Sequence, residues 1–269
     1  MAHNLKSIRQ EFKANGVFYT DERLAQIMKS YIGGEPSEVY DPTCGDGALL
    51  STFGDEVRKF GQELDGEQLD VARSRLVNFE GVCGDTLQAP AFAGRQFACI
   101  MANPPFSTKW EQRKGDERFA DAPALAPPSR ADYAFLLHVL HYLAPDGVAV
   151  VLNAPGILYR GNAEGKIRRY LVENNFVHAV IQLPPDLFFG TTIATCIIVL
   201  KKARPYHSVL FVDASSECVR EGNKNRLASE NQQRILSLVS ERQAVDHVAA
   251  LVSIDDIKEN DWNLSVSSY

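Results

Sequence analysis

From residue 39 onward the chain repeats one pattern: short runs of β-branched and apolar residues separated by stretches with helical periodicity. A parallel sheet covered by helices satisfies that pattern, because each parallel crossover needs a dozen or more residues and a helix supplies them while shielding the strands. Strands are expected at 38–41, 60–64, 81–83, 97–102, 148–152, 177–183 and 195–201, and helices at 47–59, 66–78, 130–143 and 162–175. Asp146-Gly147 provides a turn before the fifth strand, and Asp21 is placed to cap a helix running to about Ile32. Residues 184–192 leave no room for a helix between the last two strands, so those strands should pair as an antiparallel hairpin. The expected fold class is therefore α/β, three layers around a mostly parallel sheet that ends in an antiparallel hairpin. The segment 107–129 carries Pro123, Pro127 and Pro128 among charges without any period and reads as a mobile loop.

With 269 residues, 45% of them hydrophobic, the chain is long enough to bury a sizeable core. Its first ten residues are polar and no apolar stretch is long enough to cross a bilayer, which points to a cytoplasmic protein with no membrane partner. The five cysteines form no C-x-x-C pair, so neither a disulfide framework nor a zinc site is expected. His138 and His141 stand three apart on an apolar helix with no cysteine or acid nearby, which fits packing better than metal binding. Trp110 and Trp262 read as structural in the same way. The net charge of −6 gives no overall basic face for nucleic acid. Lys109, Arg113, Lys114 and Arg118 form one local basic cluster, Arg160, Lys166, Arg168 and Arg169 a second, and Arg220, Lys224 and Arg226 a third. By charge alone each reads as a solvated face.

Three motifs carry chemistry. Asp41-Pro-Thr-Cys-Gly-Asp-Gly47 falls where the first strand turns, and Gly45 and Gly47 would let the backbone approach a ligand at the carboxyl edge of the sheet. The phosphate-binding G-x-G-x-x-G pattern is absent, since Leu50 stands at its third glycine position. Acids then follow the next two strands: Glu63, suited to accept both hydroxyls of a ribose, and Asp85 before Thr86, suited to accept from an adenine amino group. The most specific motif is Asn103-Pro-Pro-Phe106, directly after an apolar strand. Pro104 and Pro105 stiffen the backbone and remove N–H donors, leaving the Asn103 oxygen and the Pro104 carbonyl as acceptors for an amino group. Phe106 is suited to stack on a base turned out of a duplex.

These motifs together resemble the gamma class of adenine methyltransferases, and in particular the modification subunit of type I restriction–modification systems. The likeness runs from Gly16-Val-Phe-Tyr-Thr20, similar to a G-x-F-Y-T-P cofactor motif, to Asn260-Asp-Trp-Asn-Leu264, similar to the family's N-D-x-N-L close. Between them lie Gly156-Ile-Leu158, Ile167-Arg168 and Leu183-Pro184. The chain departs from the pattern at Asp21, where proline is usual, and at Asp46, where a small residue is usual. The resemblance implies a Rossmann-like, seven-stranded methyltransferase sheet and S-adenosylmethionine as cofactor. It places Phe18, Tyr19 and Thr20 with Asp41, Thr43 and Gly45 around the methionine end, Glu63 at the ribose, and Asp85 with Thr86 at the adenine. Asn103, Pro104, Pro105 and Phe106 would hold the target adenine, and Asn103 would also border the cofactor. Phe188 or Phe189 stands as a second aromatic wall or as core packing.

The implied organisation is a cofactor-covering segment over 1–35, a methyltransferase core over 36–202 and an extension packing on it over 203–269. Modification subunits carry a helical domain ahead of the G-x-F-Y-T segment, and about fifteen residues precede it here. No helix-turn-helix or zinc finger is seen in the sequence, and in the systems it resembles a separate specificity subunit reads the bases; the resemblance thus implies DNA, such a subunit and a second copy of the chain as partners. Two other readings stay open: methylation of a protein glutamine amide, and a non-catalytic assembly subunit.

Overall fold

The computed structural model describes residues 22–187, 194–222 and 224–269. Helix α1 (Glu22–Ser30) precedes β1 (Glu38–Asp41) and β2 (Arg58–Glu63), and α2 (Gly66–Arg75) leads to β3 (Phe79–Cys83) and β4 (Phe97–Ala102). Helix α3 (Asp132–Tyr142) runs straight into β5 (Leu143–Asn153), and α4 (Asn162–Glu173) into β6 (Val177–Gln182), β7 (Cys196–Lys201) and β8 (Ser208–Asp213). A small antiparallel pair, β9 (Val219–Glu221) and β10 (Lys224–Arg226), is followed by α5 (Ser229–Glu241), β11 (Ala249–Ser253) and α6 (Ile254–Glu259).

Among the described residues nine strands form one sheet in the order β11-β8-β6-β7-β5-β4-β1-β2-β3. The pairs from β3 through β5 are parallel, and β7 is inserted antiparallel to both β5 and β6, as the short 184–192 connection requires. The α/β class and the antiparallel hairpin stand. The strand count is corrected from seven to nine, because β8 pairs parallel with β6 and β11 pairs antiparallel with β8.

Side-chain alternation builds the three layers. Along β5, Ala149 and Val151 enter one apolar cluster while Val148, Val150 and Leu152 enter the other. The first cluster takes Tyr133, Leu137 and Leu140 of α3, Leu171 of α4 and Ile257 of α6; the second takes Leu24, Ile27 and Met28 of α1, Leu69 of α2 and Ile235 of α5. A central strand buried on both faces needs apolar residues without interruption, which is what Val148–Leu152 offers.

Three expectations are corrected. The helix over 47–59 is absent, and only a 3-10 turn at Leu50–Thr52 forms. Ser51 and Thr52 hydroxyls bond back to Ala48 and Leu49 carbonyls, and buried Lys59 takes the Gly54 and Val57 carbonyls at 2.7 and 3.0 Å. Those side chains compete for the groups a helix would use. The 107–129 segment is fastened and not free: Trp110 Nε1 donates to the Pro127 carbonyl, Gln112 Nε2 to the Ala126 carbonyl, and Gln88 Nε2 to the Glu111 carbonyl, at 2.7 to 3.0 Å. Finally, two members of the expected solvated basic faces, Arg118 and Arg168, are 5% and 4% exposed and hold backbone carbonyls of surrounding loops.

Candidate active site

Strand order reverses between β1 and β4, which are neighbours in register at Tyr40 and Ile100. The chain leaves β1 in one direction across the sheet and β4 in the other, so a crevice opens at the carboxyl ends of these two strands. Asp41 ends β1, Glu63 ends β2, Asp85 follows β3 and Asn103 follows β4. The topology thus places four residues from separate motifs along one sheet edge.

The turn after β1 is built on positive φ. Gly45 and Gly47 have φ of +52° and +83°, values that side chains with a Cβ adopt at a cost. A Cβ on Gly47 would strike Leu76 at 2.8 Å, whereas one on Gly45 would meet nothing within 4 Å. Gly47 is held by its left-handed backbone with Leu76 packed close to it, while Gly45 borders open space. Glu63 fixes the turn from the next strand: its two carboxylate oxygens accept from Gly45 N at 2.8 Å and Asp65 N at 2.9 Å. Asp46 faces away, pairing with Arg75 at 3.0 Å and accepting from Ala48 N, which accounts for an acid where the family pattern is small.

Asp41 is 1% exposed, and its carboxylate accepts from Thr43 N at 2.9 Å. Burial, opposed by the Thr43 N–H and more weakly by the nearby Thr43 hydroxyl and reinforced by the Glu63 charge, pushes the Asp41 carboxyl up to about 8. Beside it the Thr43 hydroxyl is buried and completes no hydrogen bond among the described residues. An orphaned hydroxyl, an acid whose charge lacks a counterion and a glycine facing open space together fit a polar, cationic ligand. The native state holds the Asp41 proton through a range in which the unfolded chain, near the ordinary value of about 4, has lost it. Ligand-free stability should therefore fall as pH rises from about 4 towards 8. The difference between wild type and Asp41→Asn in urea denaturation should change by up to about 1.4 kcal/mol per pH unit over that window. A pH-independent difference would contradict the assignment.

On the β3 side, Asp85 Oδ1 accepts from Leu87 N at 2.8 Å and caps a turn, and the buried Thr86 hydroxyl donates to the Pro42 carbonyl. Thr86 thereby ties this loop to the Asp41 turn. Arg118, from the 107–129 segment, donates to the carbonyls of Thr86 at 2.8 Å and Leu87 at 2.6 Å and is matched by Asp116 at 2.6 Å. The same guanidinium lies 3.0 Å from His138 Nδ1, and Tyr40 Oη lies 3.0 Å from Nε2. A guanidinium only donates, so Nδ1 accepts and the proton resides on Nε2. Burial holds this imidazole neutral, and both its nitrogens are engaged in the core.

After β4, Asn103 and Pro105 are half-buried and Pro104 is buried. Phe106 is 8% exposed and belongs to the apolar cluster beneath α1, so a stacking role requires it to turn out of that cluster. Ser107 has φ of +51°, and its N–H donates to Asp132 Oδ1 at 3.1 Å. Phe18, Tyr19, Thr20, Asp21, Phe188 and Phe189 lie outside the described residues. Sequence reading missed Asp132 and took Arg118 for part of a solvated face, whereas its reading of His138 as packed agrees with the structure. A signal for Asp132 existed: it opens a helix whose following residues are apolar on every face, so the acid had to be buried with it.

The sequence matches the N-6 DNA Methylase family over residues 5–269. It is 36% identical to the type I restriction enzyme MpnII methylase subunit of Mycoplasma pneumoniae, covering 96% of this chain and 53% of that protein. It is 28% identical to the MjaVII methylase subunit of Methanocaldococcus jannaschii, covering 94% of this chain and 49% of that protein. The type I restriction–modification methyltransferase subunit of Streptococcus thermophilus superposes with a TM-score of 0.89 at 36% identity, over 94% of this chain and 59% of that one. The chain thus spans about half the length of the curated relatives it matches.

Proposed function

The chain belongs to the N-6 DNA methylase family, and from that premise we propose that it transfers a methyl group from S-adenosylmethionine to the exocyclic amino group of adenine in DNA. The observation that carries this reading is the exit of the Asp41 turn and the Asn103 turn from adjacent strands at the sheet's switch point. One turn offers a buried acid and open glycine backbone for a cationic cofactor; the other offers acceptors for a planar amine. Membership in a family of DNA methylases favours DNA over a protein glutamine as acceptor.

Bound S-adenosylmethionine supplies an electrophilic methyl group on a positively charged sulfur. Asp41, Thr43 and Gly45 would hold the methionine end, together with Phe18, Tyr19 and Thr20 as the family resemblance implies, Glu63 would hold the ribose, and Asp85 with Thr86 the adenine. Asn103 Oδ1 and the Pro104 carbonyl accept the two N–H groups of the target amine. That lone pair is delocalised into the ring and nucleophilic only when drawn out of conjugation, so acceptors placed for a tetrahedral nitrogen stabilise positive charge as it develops. Phe106, once turned out of the apolar cluster beneath α1, would stack on the extruded base.

DNA selection is assigned to a separate specificity subunit, with a second copy of this chain in a cytoplasmic restriction–modification assembly. An acidic chain with net charge −6 releases few counterions from phosphates on its own. Among the described residues no helix is long and apolar enough to cross a membrane.

Calorimetry tests the cofactor site. One S-adenosylmethionine should bind per chain, and Gly45→Val with Glu63→Ala should weaken binding by at least 100-fold, about 2.7 kcal/mol at 25 °C. Unchanged binding in a double variant with native circular dichroism would remove the site from this location.

A further inference from the structure

Resting on the reading that Asn103–Phe106 holds the target amine, we propose that Asp132 is a positioning residue that fixes this segment through the backbone of Ser107. Pro104 and Pro105 contribute no N–H, so few donors remain to fasten the segment to the body of the domain. Ser107 provides one of them, immediately after Phe106, and directs it to Asp132 Oδ1 at 3.1 Å. It does so in the left-handed region, with φ of +51°, a conformation that a non-glycine residue keeps only when its surroundings impose it.

Asp132 is built for that purpose. Its side chain is 1% exposed in the first turn of α3, where the helix N-terminus favours a negative charge. Oδ2 accepts no hydrogen bond among the described residues and lies 3.9 Å from Arg160 Nη1. Arg160 is held in turn by Glu164, 2% exposed, at 3.1 Å, and Glu164 also faces Arg130 at 3.7 Å. The carboxylate thus sits on a buried helix and is steadied from the loop after β5, while it accepts a hydrogen bond from the backbone that closes the Asn103 turn. Ala131 N donates to the Thr108 carbonyl at 2.8 Å, so the chain returns from the 107–129 segment at this same junction. Releasing Ser107 lets the turn relax toward negative φ and carries the Asn103 and Pro104 acceptors off the amine, and misplacement by about 1 Å costs on the order of 10² in rate.

Single-turnover methyl transfer to a long mixed-sequence duplex, by the assembly recovered through a tag on this chain, measures the effect. Asp132→Ala should lower the rate 10- to 100-fold with S-adenosylmethionine and DNA affinities within twofold. Asp132→Asn, whose amide oxygen still accepts from Ser107 N, should retain at least a third of the rate. Ser107→Gly should be near neutral alone and restore Asp132→Ala at least fivefold, because glycine enters the left-handed region without Asp132; a role confined to stabilising α3 would not be rescued there. A rate within twofold of wild type in Asp132→Ala, or no recovery with Ser107→Gly, overturns the proposal. Should Asp132→Ala not fold, hydrogen exchange of the wild-type Ser107 amide decides: this exposed residue should exchange slowly, and exchange at the unprotected rate overturns the proposal. If the underlying reading is wrong instead, Asn103→Ala will leave the rate unchanged as well.

Discussion

Replacing Asn103 by alanine should lower methyl transfer by about 10²–10³ while leaving S-adenosylmethionine affinity within a few-fold of wild type. In the proposed reaction the asparagine oxygen acts on the amine, where charge appears only as the methyl group is transferred, so its loss should be felt in the transition state more than in the bound ground state. Single-turnover kinetics with saturating cofactor separate the two effects. A variant with near-normal rate would remove Asn103 from the chemistry, and one that loses cofactor binding to the same degree would relocate it to the cofactor.

The largest loss of stability should come from Arg118→Met, which conserves volume but removes a guanidinium whose side chain is 1% exposed. Two carbonyls, His138 Nδ1 and the Asp116 carboxylate would each lose a donor. Leaving the partners of a buried ion pair unmatched costs roughly 3–5 kcal/mol, far more than loss of a solvated arginine. Urea denaturation should show this as a lower midpoint at similar slope. Because Arg118 holds the Thr86 and Leu87 backbone, cofactor affinity should fall too. A loss under about 1 kcal/mol would mean that the arginine is screened by solvent after all.

Arg118 also marks the limit of what could be read from the chain. The alternating apolar runs gave the parallel sheet, the inserted antiparallel strand and the edge on which the Asp41, Glu63, Asp85 and Asn103 motifs gather, because period and crossover length are local properties. In the basic cluster over 109–118, Lys109, Arg113 and Lys114 are exposed as read, but Arg118 is buried, because charge pattern reports composition and not burial. Besides Asp116, its partners Thr86, Leu87 and His138 lie between 20 and 32 residues away. The 47–59 stretch misled for a related reason: its apolar spacing suits a helix, but Ser51, Thr52 and the buried Lys59 ammonium take the carbonyls that a helix would need. The strands β8 and β11 went unforeseen because their partners are the sheet edge and each other.

The central claim is that this chain methylates adenine in DNA at a site shared by the Asp41 and Asn103 turns. Transfer of tritium from methyl-labelled S-adenosylmethionine, followed by nucleoside analysis of the DNA and hydrolysis of the protein fraction, tests it most directly. The label should appear as N6-methyladenine in DNA, slowly or not at all with the chain alone, efficiently with the assembly recovered through it, and not with Asn103→Ala. Label in protein glutamine or on another base, or none in DNA with the intact assembly, would contradict the account.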